Sequence, residues 1–163
     1  MIPKWLEAID MIYIGSDHAG FELKETLKQY IAKLGYEIKD MGAYRYEQAD
    51  DFPEYALKVC REVLKSKGQG ILICGTGQGM ERTANKIRGI YAAVCWNEMT
   101  ARVAKEHGDT NVISLGGRTT SPEEAERIVR TWLESKFTGE SRHVRRNNQI
   151  KEIEKKYMKE YNT

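Results

Sequence analysis

Short β-branched or apolar runs alternate along this chain with longer segments whose apolar residues recur every three or four positions, and that alternation limits the folds open to it. Met11-Ile-Tyr-Ile14 reads as a first strand. Phe21 to Leu34 follows as a helix, with Leu23, Leu27, Tyr30, Ile31 and Leu34 on one face and Gly35 where a C-terminal cap belongs. Tyr36 to Lys39 reads as a second strand, and a helix starts at Pro53 with Ala56, Val59, Cys60, Val63 and Leu64 inward. Gly70 to Cys74 is a fully buried strand, Gly79 to Lys86 a helix, Ile90 to Cys95 a strand, Glu98 to His107 a helix and Asn111 to Leu115 a fifth strand. Ser121-Pro122-Glu123-Glu124 then predicts a capping box for a helix to about Ser135. A charged amphipathic helix from about Arg142 to Tyr161 comes last; its stripe of Ile150, Ile153, Tyr157 and Tyr161 is expected to pack on its own subunit. Alternation at this spacing predicts right-handed βαβ units, hence a three-layer α/β domain around a five-stranded parallel sheet. All 163 residues are expected to form one domain, with Met1 to Asp10 as an extension in front.

In such sheets ligands sit outside the carboxyl ends of the strands, which directs attention to the loops that follow them. After strand one stands Ser16-Asp17-His18-Ala19-Gly20, and after strand three Cys74-Gly75-Thr76-Gly77-Gln78-Gly79. Strand five is preceded by His107-Gly108-Asp109 and followed by Gly116-Gly117-Arg118. Two of the three histidines, His18 and His107, are therefore expected near one edge of the sheet together with Cys74 and the glycine cluster. That cluster lacks the Gly-Lys-Ser/Thr of a P-loop, is not the dinucleotide G-x-G-x-x-G, and has Met80 where a cysteine-dependent phosphatase needs arginine. Two readings remain: a tight turn packing strand against helix, or backbone N–H groups converging on an anion. A cysteine at the mouth of such a cluster has its thiolate stabilised by the helix dipole and suits a base or nucleophile. Asp17-His18 reads either as a capping pair or as a functional pair, and His107 either as a helix C-terminal imidazole or as a functional group. Arg142, Arg145 and Arg146, gathered with His143 at a helix start where the dipole disfavours cations, suggest a compensating anion.

Composition narrows the partners. The chain has 26 Lys+Arg against 24 Asp+Glu, a formal charge of +2. Residues 136 to 163 hold eight basic and four acidic residues, so the tail carries +4 and the rest −2. Four surplus charges are too few to argue for nucleic acid. No run approaches the ~18 apolar residues of a membrane span, and Glu7 and Asp10 interrupt the front where a signal peptide would be apolar. A soluble cytoplasmic protein is expected. Three cysteines, Cys60, Cys74 and Cys95, with no C-x-x-C pair, argue against a disulfide framework or a structural zinc site. Cys60 and Cys95 read as packing residues.

Taken together, Gly15-Ser-Asp-His-Ala-Gly-Phe21, Gly70-Ile-Leu-Ile-Cys-Gly-Thr-Gly77, Ala84-Asn-Lys86, Asp109-Thr-Asn-Val112 and Arg142-His143 resemble ribose-5-phosphate isomerase B, of the wider family that includes galactose-6-phosphate isomerase. The resemblance runs from about Met11 to Ile153 with the motifs in family order. It implies a Rossmann-like sheet, an aldose-ketose isomerase acting on a sugar phosphate, and a homodimer whose active sites are shared between subunits, with no metal and no organic cofactor. By the same resemblance Cys74 is the base that moves a proton between C1 and C2, and His107 is the acid that helps open the furanose ring. Gly75, Thr76, Gly77, Gln78 and Gly79 form the anion hole, with Gly108 beside the acid. Asp17 holds sugar hydroxyls, and His18, Arg118, Arg142 and Arg146 grip the phosphate.

The chemistry of the residues agrees. Proton abstraction beside a carbonyl builds an enediolate, whose charge, without a metal, must meet preorganised donors such as a loop of converging N–H groups. Arginine suits phosphate because its planar fork pairs with two oxygens and stays charged. The sequence also departs from the resemblance. The family commonly has Asn at the position of Gly108 and Tyr at that of Phe52, and Glu81-Arg82-Thr83 replaces a smaller, more apolar stretch. These departures leave the base and the anion hole intact but leave open a hexose 6-phosphate such as allose or galactose 6-phosphate as substrate. The alternative from a different class of function is a non-catalytic sugar-phosphate sensor that retains the fold, from which Cys74 separates the enzyme, since a sensor needs the arginines but no base.

Overall fold

The computed structural model describes residues 11–159, so the N-terminal extension and Tyr161 lie outside the described residues. Within it the strands are β1 (Ile12–Ser16), β2 (Ile38–Asp40), β3 (Gln69–Cys74), β4 (Ala92–Val94) and β5 (Val112–Gly116). The helices are α1 (Phe21–Lys33), α2 (Phe52–Ser66), α3 (Gln78–Ala84), α4 (Glu98–Glu106), α5 (Pro122–Glu134) and α6 (Ser141–Tyr157), with a single 3-10 turn at His18–Gly20. All strand pairings are parallel, in the order β2-β1-β3-β5-β4. The expected α/β class and five-stranded sheet are thus present, and the elements start and stop within a few residues of their sequence signals.

Two cores flank the sheet. Leu23, Leu27 and Ile31 of α1, Ala101 of α4 and Ile128, Val129 and Trp132 of α5 pack on one face. Ala56, Val59, Cys60 and Val63 of α2 with Met80 and Ala84 of α3 pack on the other. Strands β1, β3 and β5 are buried along their whole length, which is why their sequences are apolar runs and do not alternate. The sheet's edge at β2 is tied down by charge: the fully buried Lys24 of α1 places Nζ 2.8 and 2.7 Å from the two carboxylate oxygens of Asp40. Burial would raise the Asp40 pKa, but hydrogen bonds from Lys24, Lys28 and the Gly42 N–H outweigh it and hold the carboxyl below its ordinary value.

The helix caps differ from expectation in one respect. Ser121 does cap α5, accepting from the Glu124 N–H at 3.3 Å, but only that half of a capping box forms. Both halves form on α4, where Asn97 accepts from Thr100 N–H at 2.8 Å and the Thr100 hydroxyl accepts from Asn97 N–H at 3.2 Å.

Candidate active site

The strand order reverses direction between β1 and β3, since β2 lies on one side of that pair and β5 and β4 on the other. A crevice opens at such a switch point because the connections leave the two strands toward opposite faces. Here the loop after β1 carries Asp17 and His18, and the loop after β3 carries Cys74 to Gly79. Three strand-end loops are laced together there: Asp17 N–H donates to Ile73 O at 3.3 Å, Gly117 N–H to Cys74 O at 2.7 Å and Arg118 N–H to Gly75 O at 3.0 Å. Arg118 lies over the glycine loop, its Nη1 being 3.5 Å from where a Cβ on Gly75 would stand. Thr76 and Gln78 of this loop are exposed, whereas Cys74 ends β3 at 5% exposure.

The loop's shape requires its glycines at two places. Gly77 caps α3 at φ 82°, a left-handed conformation, and is packed on Leu115, while its carbonyl accepts from the buried Ser114 hydroxyl at 2.7 Å. Gly79 lies under the Phe52 ring, whose atoms would come within 2.7 to 3.0 Å of an added Cβ. Phe52, which stands where the resemblance expects Tyr, therefore packs directly on the start of α3.

Electrostatics distinguish the groups. Asp17 caps the 3-10 turn by accepting from Gly20 N–H at 3.2 Å, and burial, opposed by that bond, raises its pKa above the ordinary carboxylate value. Cys60 and Cys95 are buried thiols pushed up to about 12 by burial, in keeping with packing roles. Asp17, His18 and Asp50 are the one cluster of potential metal ligands among the described residues. His18 Nδ1 is already engaged with Asp50 Oδ1 at 2.7 Å.

His107 does not join this cluster, contrary to the sequence expectation of a single edge. It is the residue after α4 and precedes β5, and in a parallel sheet the start of β5 is level with Gly70, while Cys74 is level with Gly116. His107 and Gly108 thus belong to the amino edge of the sheet, as does the start of α6. The His107 ring stacks on His143 with centroids 4.0 Å apart and planes 14° apart, and the Asn147 side chain donates to His107 O at 2.9 Å. His143 is buried, its Nε2 has no hydrogen-bond partner among the described residues, and burial followed by the charge of His107 lowers its pKa. Arg142 and Arg146 are exposed beside it, Arg142 with Nε 3.0 Å from Glu140. Further along, Glu154 accepts from Gly89 N–H and from the Tyr91 hydroxyl, at 2.8 and 2.7 Å, and so fixes α6 to the start of β4. A cleft of about 680 Å³ opens at this edge, lined among others by Gln69, Lys105, Asp109 and Asn147, and it does not include Cys74.

The apolar stripe of α6 also departs from expectation. Ile150, Ile153 and Tyr157 are 53, 60 and 73% exposed, so their own subunit leaves most of the stripe uncovered. The sequence reading missed Asp50, Ser114 and Asn147 as well. Ser114 gave a signal, a hydroxyl inside the apolar run Val112-Ile-Ser-Leu115, whereas Asp50 sits in an acidic turn-like stretch with nothing to mark it.

Comparison with known proteins shows the family. Residues 12–150 match the model of the Ribose/Galactose Isomerase family. The putative sugar phosphate isomerase YwlF of Bacillus subtilis is 38% identical over 148 residues, covering 90% of this chain and 99% of the relative. A ribose-5-phosphate isomerase B structure from Clostridium thermocellum superposes with a TM-score of 0.87 at 44% identity, covering 90% of this chain and 99% of that one. Another, from Mycoplasma genitalium with bound ribulose-5-phosphate, gives 0.86 at 37% identity over 89% of this chain and 96% of its own. With the family model matching residues 12–150 and relatives and solved structures agreeing over nearly the full length, the chain belongs to the ribose/galactose isomerase family.

Proposed function

We propose that this chain interconverts ribose 5-phosphate and ribulose 5-phosphate by a cis-enediolate proton transfer, the step that joins these two sugars in the non-oxidative branch of the pentose phosphate pathway, in the cytoplasm. The observation that carries the reading is Cys74 at the switch point, with Gly75 to Gly79 on one side and Asp17-His18 on the other. In this mechanism the Cys74 thiolate takes the proton from C2 of the open-chain aldose and returns it to C1, while a proton passes from the O2 hydroxyl to O1 across the cis-enediolate, so that C2 ends as the carbonyl carbon. The negative charge that develops on the carbonyl oxygen meets the N–H groups of Gly75, Thr76, Gly77, Gln78 and Gly79, donors fixed before the reaction begins. Asp17 holds sugar hydroxyls. His18 and Arg118 hold the phosphate from the same subunit, so that binding energy at an inert group orients the reacting carbons.

The ring-opening acid, His107, lies at the other edge of its own sheet, as do Gly108, Arg142 and Arg146. The reading therefore requires that a second copy bring its amino edge to the crevice, giving a homodimer with shared sites. The exposed Ile150, Ile153 and Tyr157 on α6, and Trp96, Met99 and Val103 on and beside α4, supply apolar surface for such an association. No helix among the described residues is long and apolar enough to cross a membrane.

Replacing Cys74 by Ala tests the chemistry. Turnover of ribose 5-phosphate falls by at least ~10³ while the sugar phosphate still binds, because only the base is removed. Substantial residual turnover would take Cys74 out of the mechanism. Parallel rates on allose and galactose 6-phosphates decide between a pentose and a hexose substrate.

A further inference from the structure

Asp50 lies in the connection between β2 and α2, 32 residues from His18 in sequence, yet one of its oxygens holds that residue twice. Asp50 Oδ1 accepts from the His18 backbone N–H at 3.0 Å and lies 2.7 Å from His18 Nδ1. The Asp50 side chain is 7% exposed and that of His18 is 19% exposed. Since a carboxylate only accepts, Nδ1 carries the hydrogen in this pair whatever the charge on the ring. The other nitrogen, Nε2, is then the one left to meet a ligand. The doubled bond also fixes the main chain of the turn that carries Asp17, so ring direction and loop position are set by one group.

Two further observations show that this carboxylate is not merely a surface contact. Its second oxygen, Oδ2, is buried and lacks a well-formed hydrogen bond, so the carboxylate is kept there at a cost in solvation. Its neighbour Tyr55 feels it: burial, then the Asp50 charge and a side-chain interaction with the same carboxylate, push the Tyr55 hydroxyl up to about 12.

We propose that Asp50 is a positioning residue for the sugar-phosphate site, holding His18 so that Nε2 faces the phosphate. This rests on the reading of His18 as a phosphate ligand given above. The argument parallels the carboxylates that orient histidine ligands, where removing the orienting partner typically costs about 10- to 100-fold in affinity or activity.

The experiment measures KM and kcat for ribose 5-phosphate in Asp50→Asn, Asp50→Ala, His18→Ala and the Asp50→Ala/His18→Ala pair, with thermal melts of each. Asp50→Asn, which keeps an acceptor oxygen but loses the charge, raises KM less than Asp50→Ala does. Asp50→Ala raises KM by about tenfold or more and lowers kcat by a smaller factor. In the His18→Ala background the same substitution adds little, because its effect passes through the ring. A KM within twofold of the parent in Asp50→Ala overturns the proposal. So does an undiminished effect in the His18→Ala background, and so does loss of the fold in both Asp50 variants, which would make the residue purely structural. A parent protein that does not turn over ribose 5-phosphate at all would instead defeat the reading of the site, and this inference with it.

Discussion

Mixing two inactive variants tests the separation of Cys74 and His107 directly. Cys74 is level with Gly116 at the far end of β5, and His107 stands five residues before that strand begins. The five residues of β5 alone rise about 13 Å, more than either side chain can bridge, so the two cannot meet within one subunit. If each active site draws Cys74 from one copy and His107 from the other, a dimer of Cys74→Ala with His107→Ala contains one site lacking both groups and one site that is intact. Equal amounts reassociated at random give about half mixed dimers, each with one working site of two, hence about a quarter of parental activity per subunit. The assay is ribulose 5-phosphate formation before and after subunit exchange, with different affinity tags on the two variants to verify that mixed dimers have formed. Recovery near a quarter supports the shared site. Mixed dimers isolated by both tags but no more active than the two inactive variants alone would refute it, because each subunit would then hold a complete and still damaged site.

Three further outcomes follow from the geometry around the crevice. Gly79→Ala places a Cβ within 2.7 to 3.0 Å of the Phe52 ring and destabilises the protein by about 1–3 kcal/mol. In a Phe52→Ala background most of that cost disappears, and denaturant unfolding of the four proteins checks it. Asp17→Asn removes a carboxylate whose pKa burial raises, so the folded parent binds protons more tightly at this site than the unfolded chain and loses stability as pH rises through the raised pKa. The variant lacks that loss: its melting temperature gains on the parent more at pH 7 than at pH 4, while sugar binding weakens, and an equal offset at both pH values would contradict the assignment. Asp40 has the opposite sign, since its folded pKa is depressed: its contribution is present above the ordinary carboxylate value and is lost as pH falls through the folded pKa. Asp40→Asn therefore lowers the melting temperature at pH 7, and that deficit narrows in acid.

Much of the fold was legible because β1, β3 and β5 are buried on both faces and so must be apolar along their length, while each helix must show one apolar stripe. The crevice residues were legible for a related reason: small residues and reactive groups placed directly after buried strands have no packing role that would otherwise select them. His107 was misplaced because proximity in sequence to a strand does not say which end of it is meant. His107 precedes β5 and follows α4, and a helix that crosses between parallel strands returns the chain to the amino edge, so every helix C-terminus of this kind lies opposite the strand-end loops. The same reasoning explains α6. Its apolar stripe was read as a contact with its own subunit, since one chain's sequence cannot distinguish a face buried by itself from a face left for a second copy. What holds α6 to its subunit is a set of polar contacts and one ring stack: Glu154 on Gly89 and Tyr91, Asn147 on the His107 carbonyl, and the buried His143 on the His107 ring. Those contacts leave Ile150, Ile153 and Tyr157 outward and keep His107, His143, Arg142 and Arg146 together at the amino edge. The basic excess of the tail is thereby held beside His107 and away from its own Cys74. Under the proposed mechanism those groups can serve one sugar phosphate only if a second subunit presents the other half of the site, which is what the mixing experiment decides.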